Sequence, residues 1–487
     1  MKKHLHAVMA VIAISLLLCA CYNMRKSKGG GQTSVPAQRT INANDIALAP
    51  GYKVELVASG LSFPSGLDFD DKDNLYVTEA GYSYGEVWLE PRLIRIDSKG
   101  VATPVAVGTK NGPWTGLKYH GGNFYIAEGG HRDGGKILKI NLDGKISELL
   151  TGLPSLGDHH TNGPAINGNY IYFGQGAATN SGVVGADNAD FGWLPRHPDF
   201  HDIPCKDVFL TGENYTTENV LTEQKGDKSI TGAYSPFGKA TSAGQMIKGQ
   251  LPCTGSIMRI PLGGGPAELV AWGLRNPFGL CFSPGGALYV TDNSYDERGS
   301  RPVWGTGDVL WEIKEGMWYG WPDYAEVRAL QSDVEFKAPG EKQPKPLLQK
   351  YPNTPPKPAA ILGVHSSANG FDFSRSDDFG FKGQAFIALF GDMAPGAGKV
   401  LSPVGFKVVR VDVGTGVIND FAANKGRKNG PASWLKKGGL ERPIAARFNP
   451  SGTALYIADF GAMQTGRDGP VPLPKTGVVW KITRIKE

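Results

Sequence analysis

Three short strings in this 487-residue chain combine residue types that can do chemistry. Asp158-His159-His160 places two imidazoles beside a carboxylate. A histidine titrates near neutral pH and can take a proton from a hydroxyl, and a neighbouring carboxylate can orient the ring. Adjacent side chains on an extended segment point to opposite sides, so only one of the two rings can face a cavity. Metal ligation is the other common use of such a pair. Arg275-Asn276 and Arg442-Pro443 supply guanidinium groups able to hold a ligand carboxylate bidentately or to bridge to a carboxylate of the protein itself. His365 is a further candidate base.

The elements that must position these residues come from a repeat. A turn, an apolar stretch, a Gly/Asn/Asp turn and a second apolar strand recur from Ser65, Thr115, Asn162, Phe278, Asn369 and Ala445. A further strand follows each copy, RLIRID (92–97) and VVWKIT (478–483) being the first and last. Small sheets of this kind cannot bury both faces alone, and radial stacking solves that problem. The predicted fold is all-β, a six-bladed β-propeller over 50–487, with long rim insertions at about 177–254 and 323–364. VELVASGL (54–61) is predicted to share a sheet with the C-terminal strand and close the ring. Glycine (67 residues) and proline (34) fit many tight turns. The strand ends Glu79, Glu128, Gln175, Asp292, Asp392 and Asp459 are expected to ring the channel mouth as a site for a hard cation or a polyhydroxyl ligand.

Residues 1–20 read as a lipoprotein signal peptide: Lys2 and Lys3, an apolar run too short to span a bilayer, then Leu18-Cys19-Ala20-Cys21. Cys21 becomes the lipidated first residue, and 21–49 a flexible tether. The expected location is the bacterial cell envelope, at the outer membrane facing periplasm or exterior. Cys205 and Cys253 follow Ile-Pro and Leu-Pro at the two ends of a long strand-poor segment, and in an oxidising compartment they are expected to pair. Cys281 reads as a buried thiol. No Cys-x-x-Cys-His string is present, which excludes covalent c-type haem. The net charge of +5 is scattered and gives nucleic-acid binding no support.

GLRNPFGLCF (273–282), then LYVTDN, then GDVLWEIKEGMWYGWPDY (307–324) together resemble the glucose/sorbosone dehydrogenase family of six-bladed quinoproteins. HSSANGFDF (365–373) and RPIAARFNPSGTALYIAD (442–459) are similar to its sorbosone dehydrogenase branch. The resemblance spans roughly 50–485. It implies pyrroloquinoline quinone (PQQ) and Ca²⁺ as cofactors and oxidation of an aldose or related sugar carbonyl substrate. It makes His159 the general base with Asp158 beside it. It brings Arg275, Asn276, Asn293 and Arg442 to the quinone, and assigns the Ser294 and Tyr295 carbonyls to Ca²⁺. Electrons then leave to a separate acceptor, the quinone pool or a cytochrome c. The chain departs from the family pattern at Gly391-Asp392-Met393, where a lysine is usual, at Ile444, where many relatives carry arginine, and after His160, where an arginine is missing. Two other functions fit the same architecture: a metal-dependent lactonase using the acidic ring, and a non-catalytic carbohydrate- or protein-binding propeller.

Overall fold

The computed structural model describes residues 35, 38–83, 87–190, 192–392, 403–466 and 469–485. The signal segment, Cys21 and the start of the tether lie outside the described residues, as does 393–402.

Six antiparallel sheets follow one another in sequence, each built on four strands. Blade one is Pro64–Phe69, Leu75–Glu79, Arg92–Ile96 and Ala102–Val107; blade two is Trp114–His120, Asn123–Glu128, Gly135–Asn141 and Ile146–Leu153. Blade three is Thr161–Asn167, Tyr170–Gln175, Ser256–Pro261 and Glu268–Trp272; blade four is Pro277–Phe282, Leu288–Asp292, Gly307–Glu312 and Ala360–Val364. Blade five runs from Ala368–Phe373 through Ala385–Leu389 and Lys407–Asp412 to Val417–Asn424. Blade six takes Pro443–Phe448, Ala454–Asp459 and Gly477–Arg484 from the C-terminus and Tyr52–Leu61 from the N-terminus, with Tyr52 opposite Arg484. The ring is therefore the predicted six-bladed propeller, closed by the two ends of the chain.

Burial follows radial position. The second strand of each blade lies between two neighbouring sheets and is apolar on both faces, as in Leu75–Glu79, where every residue is buried. The outermost strands face water, as in Ala102–Val107, which is mostly exposed. The first strands line the axis and touch one another from blade to blade, and this contact requires small residues. A Cβ on Gly66 would lie 2.9 Å from Gly116 Cα, and one on Gly116 would run into the Gly163 carbonyl. Gly116→Ala is expected to cost about 2–3 kcal/mol through this overpacking, read as a lower midpoint in urea with unchanged slope.

Two boundaries differ from the sequence reading. The tether ends early: Arg39 forms a buried ion pair with Asp459, and Ile46–Leu48 adds a fifth strand to blade five, Ile46 opposite Asn424. The second insertion stops at 359, because Ala360–Val364 is the outermost strand of blade four. The two insertions pack on each other. Leu210 and Leu348 form a β-bridge, and the Thr211 N–H donates to Leu347 O at 2.9 Å. Cys205 and Cys253 are joined in a disulfide, and Cys281 is a buried free thiol. Among the described residues no helix is long and apolar enough to cross a membrane.

Candidate active site

The axial channel is too narrow to hold a substrate. Its cavity, walled by Gly66, Gly116, Gly279 and Gly370 among others, is about 50 Å³, against the 300 Å³ or more of ordinary ligand pockets. Lower down, Lys118 pairs with Asp68 at 3.0 Å, and Arg447 lies 3.7 Å from Asp68 and 3.8 Å from Asp372. Chemistry therefore belongs at the opposite end, where the loops leading into the innermost strands converge. Those lead-ins carry His159 (blade three), Arg275 and Asn276 (blade four), His365 (blade five) and Arg442 (blade six).

The 158–160 segment is extended because it pairs with 176–178: Asp158 N–H donates to Ala178 O and Gly176 N–H to His160 O, both at 2.9 Å. The two adjacent rings therefore point to opposite sides. The His160 ring packs edge-on against His131, centroids 4.9 Å apart, and burial pushes its pKa down to about 4. Trp193, from the first insertion, backs His131 at 3.7 Å. His159 faces the other way. Its Nδ1 lies 2.8 Å from Ala177 O, so Nδ1 carries the proton and donates it. Nε2 is left with its lone pair and no hydrogen bond among the described residues. Burial, then Arg275 and Arg298, hold the ring well below the ordinary histidine range. His159 is thus an unprotonated base at neutral pH, and one residue sets its position relative to Arg275, because the Ala177 N–H donates to Arg275 O at 2.7 Å.

Asp158 does not orient this ring, contrary to the sequence reading. Its carboxylate pairs with Arg298 at 2.7 Å and accepts from Asn188 Nδ2 at 2.8 Å, since side chains of consecutive extended residues diverge.

Arg275 is buried and held at each guanidinium nitrogen. Nε donates to Asn180 O at 3.0 Å, Nη2 to Asn180 Oδ1 at 2.9 Å and Nη1 to Asn293 O at 3.2 Å, and Nη2 forms an ion pair with Asp296 at 2.7 Å. Against the cost of burial, Arg275, Arg298 and His365 hold the Asp296 carboxyl far below the usual carboxylate range. His365 takes a positive φ of 56° and lies 2.9 Å from Glu297. Burial alone would lower its pKa, but Glu297 and Asp296 outweigh it and push the ring up to about 9, so His365 is a cation. Amides link the blades beside these charges: Asn162 donates to Asn276 and Asn276 to Asn293, each at 3.0 Å, and Asn293 to Ala368 O at 2.8 Å.

Arg442 is only 2% exposed, flanked by the rings of Phe390, Phe406 and Trp434 at 5.0–5.9 Å. Nη1 reaches Gly391 O at 3.1 Å, but no carboxylate lies within ion-pair distance among the described residues and Nε has no acceptor. Burial lowers its pKa to about 10, which marks an under-compensated charge. At the expected Ca²⁺ position, the Ser294 N–H donates to Asp308 at 2.9 Å and the Tyr295 carbonyl accepts from Thr306 at 3.3 Å.

The expected acidic ring does not line the mouth. Glu79, Glu128, Gln175, Asp292 and Asp459 end second strands, one layer outside the axis, and bond to the lead-ins of their own blades, whereas Asp392 lies three residues beyond its strand and acts on His365 and Arg442. Glu79 accepts from Ser62 N–H at 2.6 Å, Asp292 from Asn276 N–H at 2.7 Å and Asp459 from Arg442 N–H at 2.7 Å. Glu128 accepts from Asn111 at 2.8 Å and Trp114 at 2.9 Å. Among the described residues no three His, Cys, Asp or Glu side chains come together as a metal site.

Sequence reasoning missed Asn180, Asp296, Glu297 and Arg298. They lie in loops without period. The one available signal was the cluster Asp296-Glu297-Arg298 directly after the Asn293-Ser294-Tyr295 string.

No protein-family model and no curated protein sequence matches the chain. Among solved structures, it is similar to the holo form of the PQQ domain of pyranose dehydrogenase from Coprinopsis cinerea, at 17% identity over 94% of this chain and 99% of that one, with a TM-score of 0.54. The calcium structure of a Trichoderma reesei carbohydrate-active enzyme of family AA12 aligns at 15% identity over 91% and 98%, also at 0.54. A glucose dehydrogenase aligns at 16% identity over 88% and 99%, at 0.51. At these identities the likeness is one of fold.

Proposed function

We propose that this protein is a quinoprotein dehydrogenase that oxidises the anomeric hydroxyl of an aldose, or a related sugar carbonyl substrate, using PQQ and Ca²⁺. One observation carries the reading: His159 is neutral, its Nδ1 fixed on Ala177 O and its Nε2 without a hydrogen bond among the described residues, beside Arg275 at the mouth of a channel too narrow for substrate. The fold neighbours, whose descriptions include a PQQ domain and a calcium structure, accord with it.

The residues fit a tricarboxylate quinone at two places. Arg442, buried without a carboxylate partner among the described residues, suits an anionic group. The linked amides of Asn162, Asn276 and Asn293, with Arg275 behind them, suit a planar polar ring. Ser294 and Tyr295 would offer their carbonyls to Ca²⁺, a hard cation that takes oxygen ligands. When bound, the quinone supplies a two-electron acceptor and Ca²⁺ a Lewis acid.

The chain's own residues do the rest. His159 Nε2 takes the hydroxyl proton. The Nδ1–Ala177 bond keeps the tautomer and ring plane fixed while it does so. The imidazolium that forms is opposed by burial, Arg275 and Arg298 and supported by Asp296, so the proton is passed on rather than kept. Because the ring's pKa is depressed, the base form persists as pH falls through 6.5. The acid limb of kcat/KM is therefore expected below pH 6.5, measured as a pH–rate profile.

The proposal extends to a cell-envelope location with Cys21 as lipid anchor, a separate electron acceptor (quinone pool or cytochrome c), and the sorbosone-type branch. The test is to mix apoprotein with Ca²⁺, PQQ, a dye acceptor and a panel of aldoses. Aldose-dependent dye reduction that needs both cofactors supports the reading. No reduction with any aldose, together with no quinone binding, overturns it.

A further inference from the structure

Arg298 is not one of the residues placed on the quinone, yet it joins three segments of the mouth. Nη2 lies 2.7 Å from Asp158 Oδ2, in the lead-in that carries His159. Nη1 lies 2.7 Å from Asp187 Oδ2, in the short helix Ala186–Asp190 of the first insertion. Nε lies 3.2 Å from Asp296 Oδ2, the carboxylate that also holds Arg275. The Arg298 side chain is 11% exposed and its Asp158 and Asp187 partners are as buried or more so, so the loss of the shared guanidinium leaves uncompensated buried charge and is costly. The surrounding contacts repeat the pattern. Asn188 donates to Asp158, and Asn180, at the start of the insertion, donates to the carbonyls of Asp296 and Arg298 at 2.8 and 3.0 Å.

We propose that Arg298 is a positioning residue whose guanidinium, shared among Asp158, Asp187 and Asp296, holds the His159 lead-in, the insertion helix and the Arg275 partner in one working arrangement. It acts on His159 in two ways. Mechanically, it fixes the Asp158 side chain and so the strand that presents the ring. Electrostatically, it adds to Arg275 in keeping the ring unprotonated, against Asp296, which favours the charged form. The charged and titratable groups around the ring are Arg275, Arg298 and Asp296, with Asp158 and His160 as chain neighbours on the other side. Burial and the nearby Asp158 push the Asp187 carboxyl up against the pull of Arg298, so the arm to the insertion weakens as pH falls. The importance of His159 rests on the proposed function, but the tests below do not, because they are read on the quinone-free protein.

The first measurement is the titration of the His159 ring by NMR, its signal assigned by loss in His159→Gln. In Arg298→Gln a positive charge leaves and Asp296, the carboxylate that favours the charged ring, loses one of its two arginine partners, so the His159 pKa is expected to rise by about 1 unit toward 6.5. A fall in thermal midpoint with an unchanged His159 titration overturns the proposal, because Arg298 would then only hold the fold together. Should Arg298→Gln fail to fold, Arg298→Lys decides. It keeps the charge but cannot reach three carboxylates, so amide exchange over 156–160 and 185–190 is expected to speed at least tenfold while the ring still titrates as in wild type. Exchange at the wild-type rate in both segments overturns the proposal. Absence of dehydrogenase activity, with these shifts intact, would remove the proposed function and leave the positioning role standing.

Discussion

His159→Ala is expected to lower kcat by about 10²–10⁴-fold, the usual loss when a positioned general base is removed, while quinone affinity stays within a few-fold of wild type. The separation follows from geometry. The ring faces the mouth through Nε2, and among the described residues its one hydrogen bond to the scaffold is that to Ala177, whereas the quinone contacts are assigned to Arg275, Asn276, Asn293 and Arg442. His159→Gln keeps a polar side chain there without a base and should lose activity equally. His160→Phe is the control. That ring lies against His131 on the far side of the strand, so the exchange should change stability and leave kcat near wild type. Steady-state kinetics with the reconstituted variants, beside a quinone titration of each, checks all three. Loss of activity in His160→Phe with activity kept in His159→Ala would reverse the assignment of the two rings.

The largest stability effect is expected at Arg301 and Asp323. Both side chains are 0% exposed and lie 2.8 Å apart at the seam between the insertions. Arg301 donates to Ser181 O, Pro322 O and Lys345 O at 2.7–3.2 Å, and Asp323 accepts from the N–H groups of Leu347 and Leu348 at 2.9 Å. Arg301→Met leaves a buried carboxylate and Asp323→Leu a buried guanidinium, and either should cost about 3–5 kcal/mol. The double variant should recover part of that loss, since no buried charge then stands alone, and a double-mutant cycle in guanidinium chloride measures the coupling. Additive losses would mean that the two residues act separately. Because the insertion also supplies Asn180 and Asp187, each single variant should weaken activity beyond the effect of stability alone.

Much of the architecture was legible because a propeller writes itself as a period. The strings SGLDF, TGLKY, NGPAI, FGLCF and NGFDF carry glycine where neighbouring innermost strands touch, so repeat and close approach coincide. His159, Arg275 and Arg442 were legible because each immediately precedes such a strand and so must reach the mouth. The radial layer was not legible. Alternation marks a strand but does not say how far from the axis it lies, and Glu79, Asp292 and Asp459 were therefore placed at the channel when they brace it from the second layer. Asp158 was misread because adjacency in sequence separates side chains on an extended segment. Asn180, Asp296 and Arg298 were out of reach for another reason: their roles exist only once the insertion folds back over blades three and four, and no local pattern records that contact.

The central claim is tested most directly by the absorbance of the protein loaded with PQQ and Ca²⁺ and mixed anaerobically with aldose. The account predicts that the oxidised quinone band disappears with one sugar consumed per quinone, and that His159→Ala binds the quinone but leaves the band in place. A wild-type protein that takes up no quinone, or whose bound quinone is unchanged by every aldose, would contradict it.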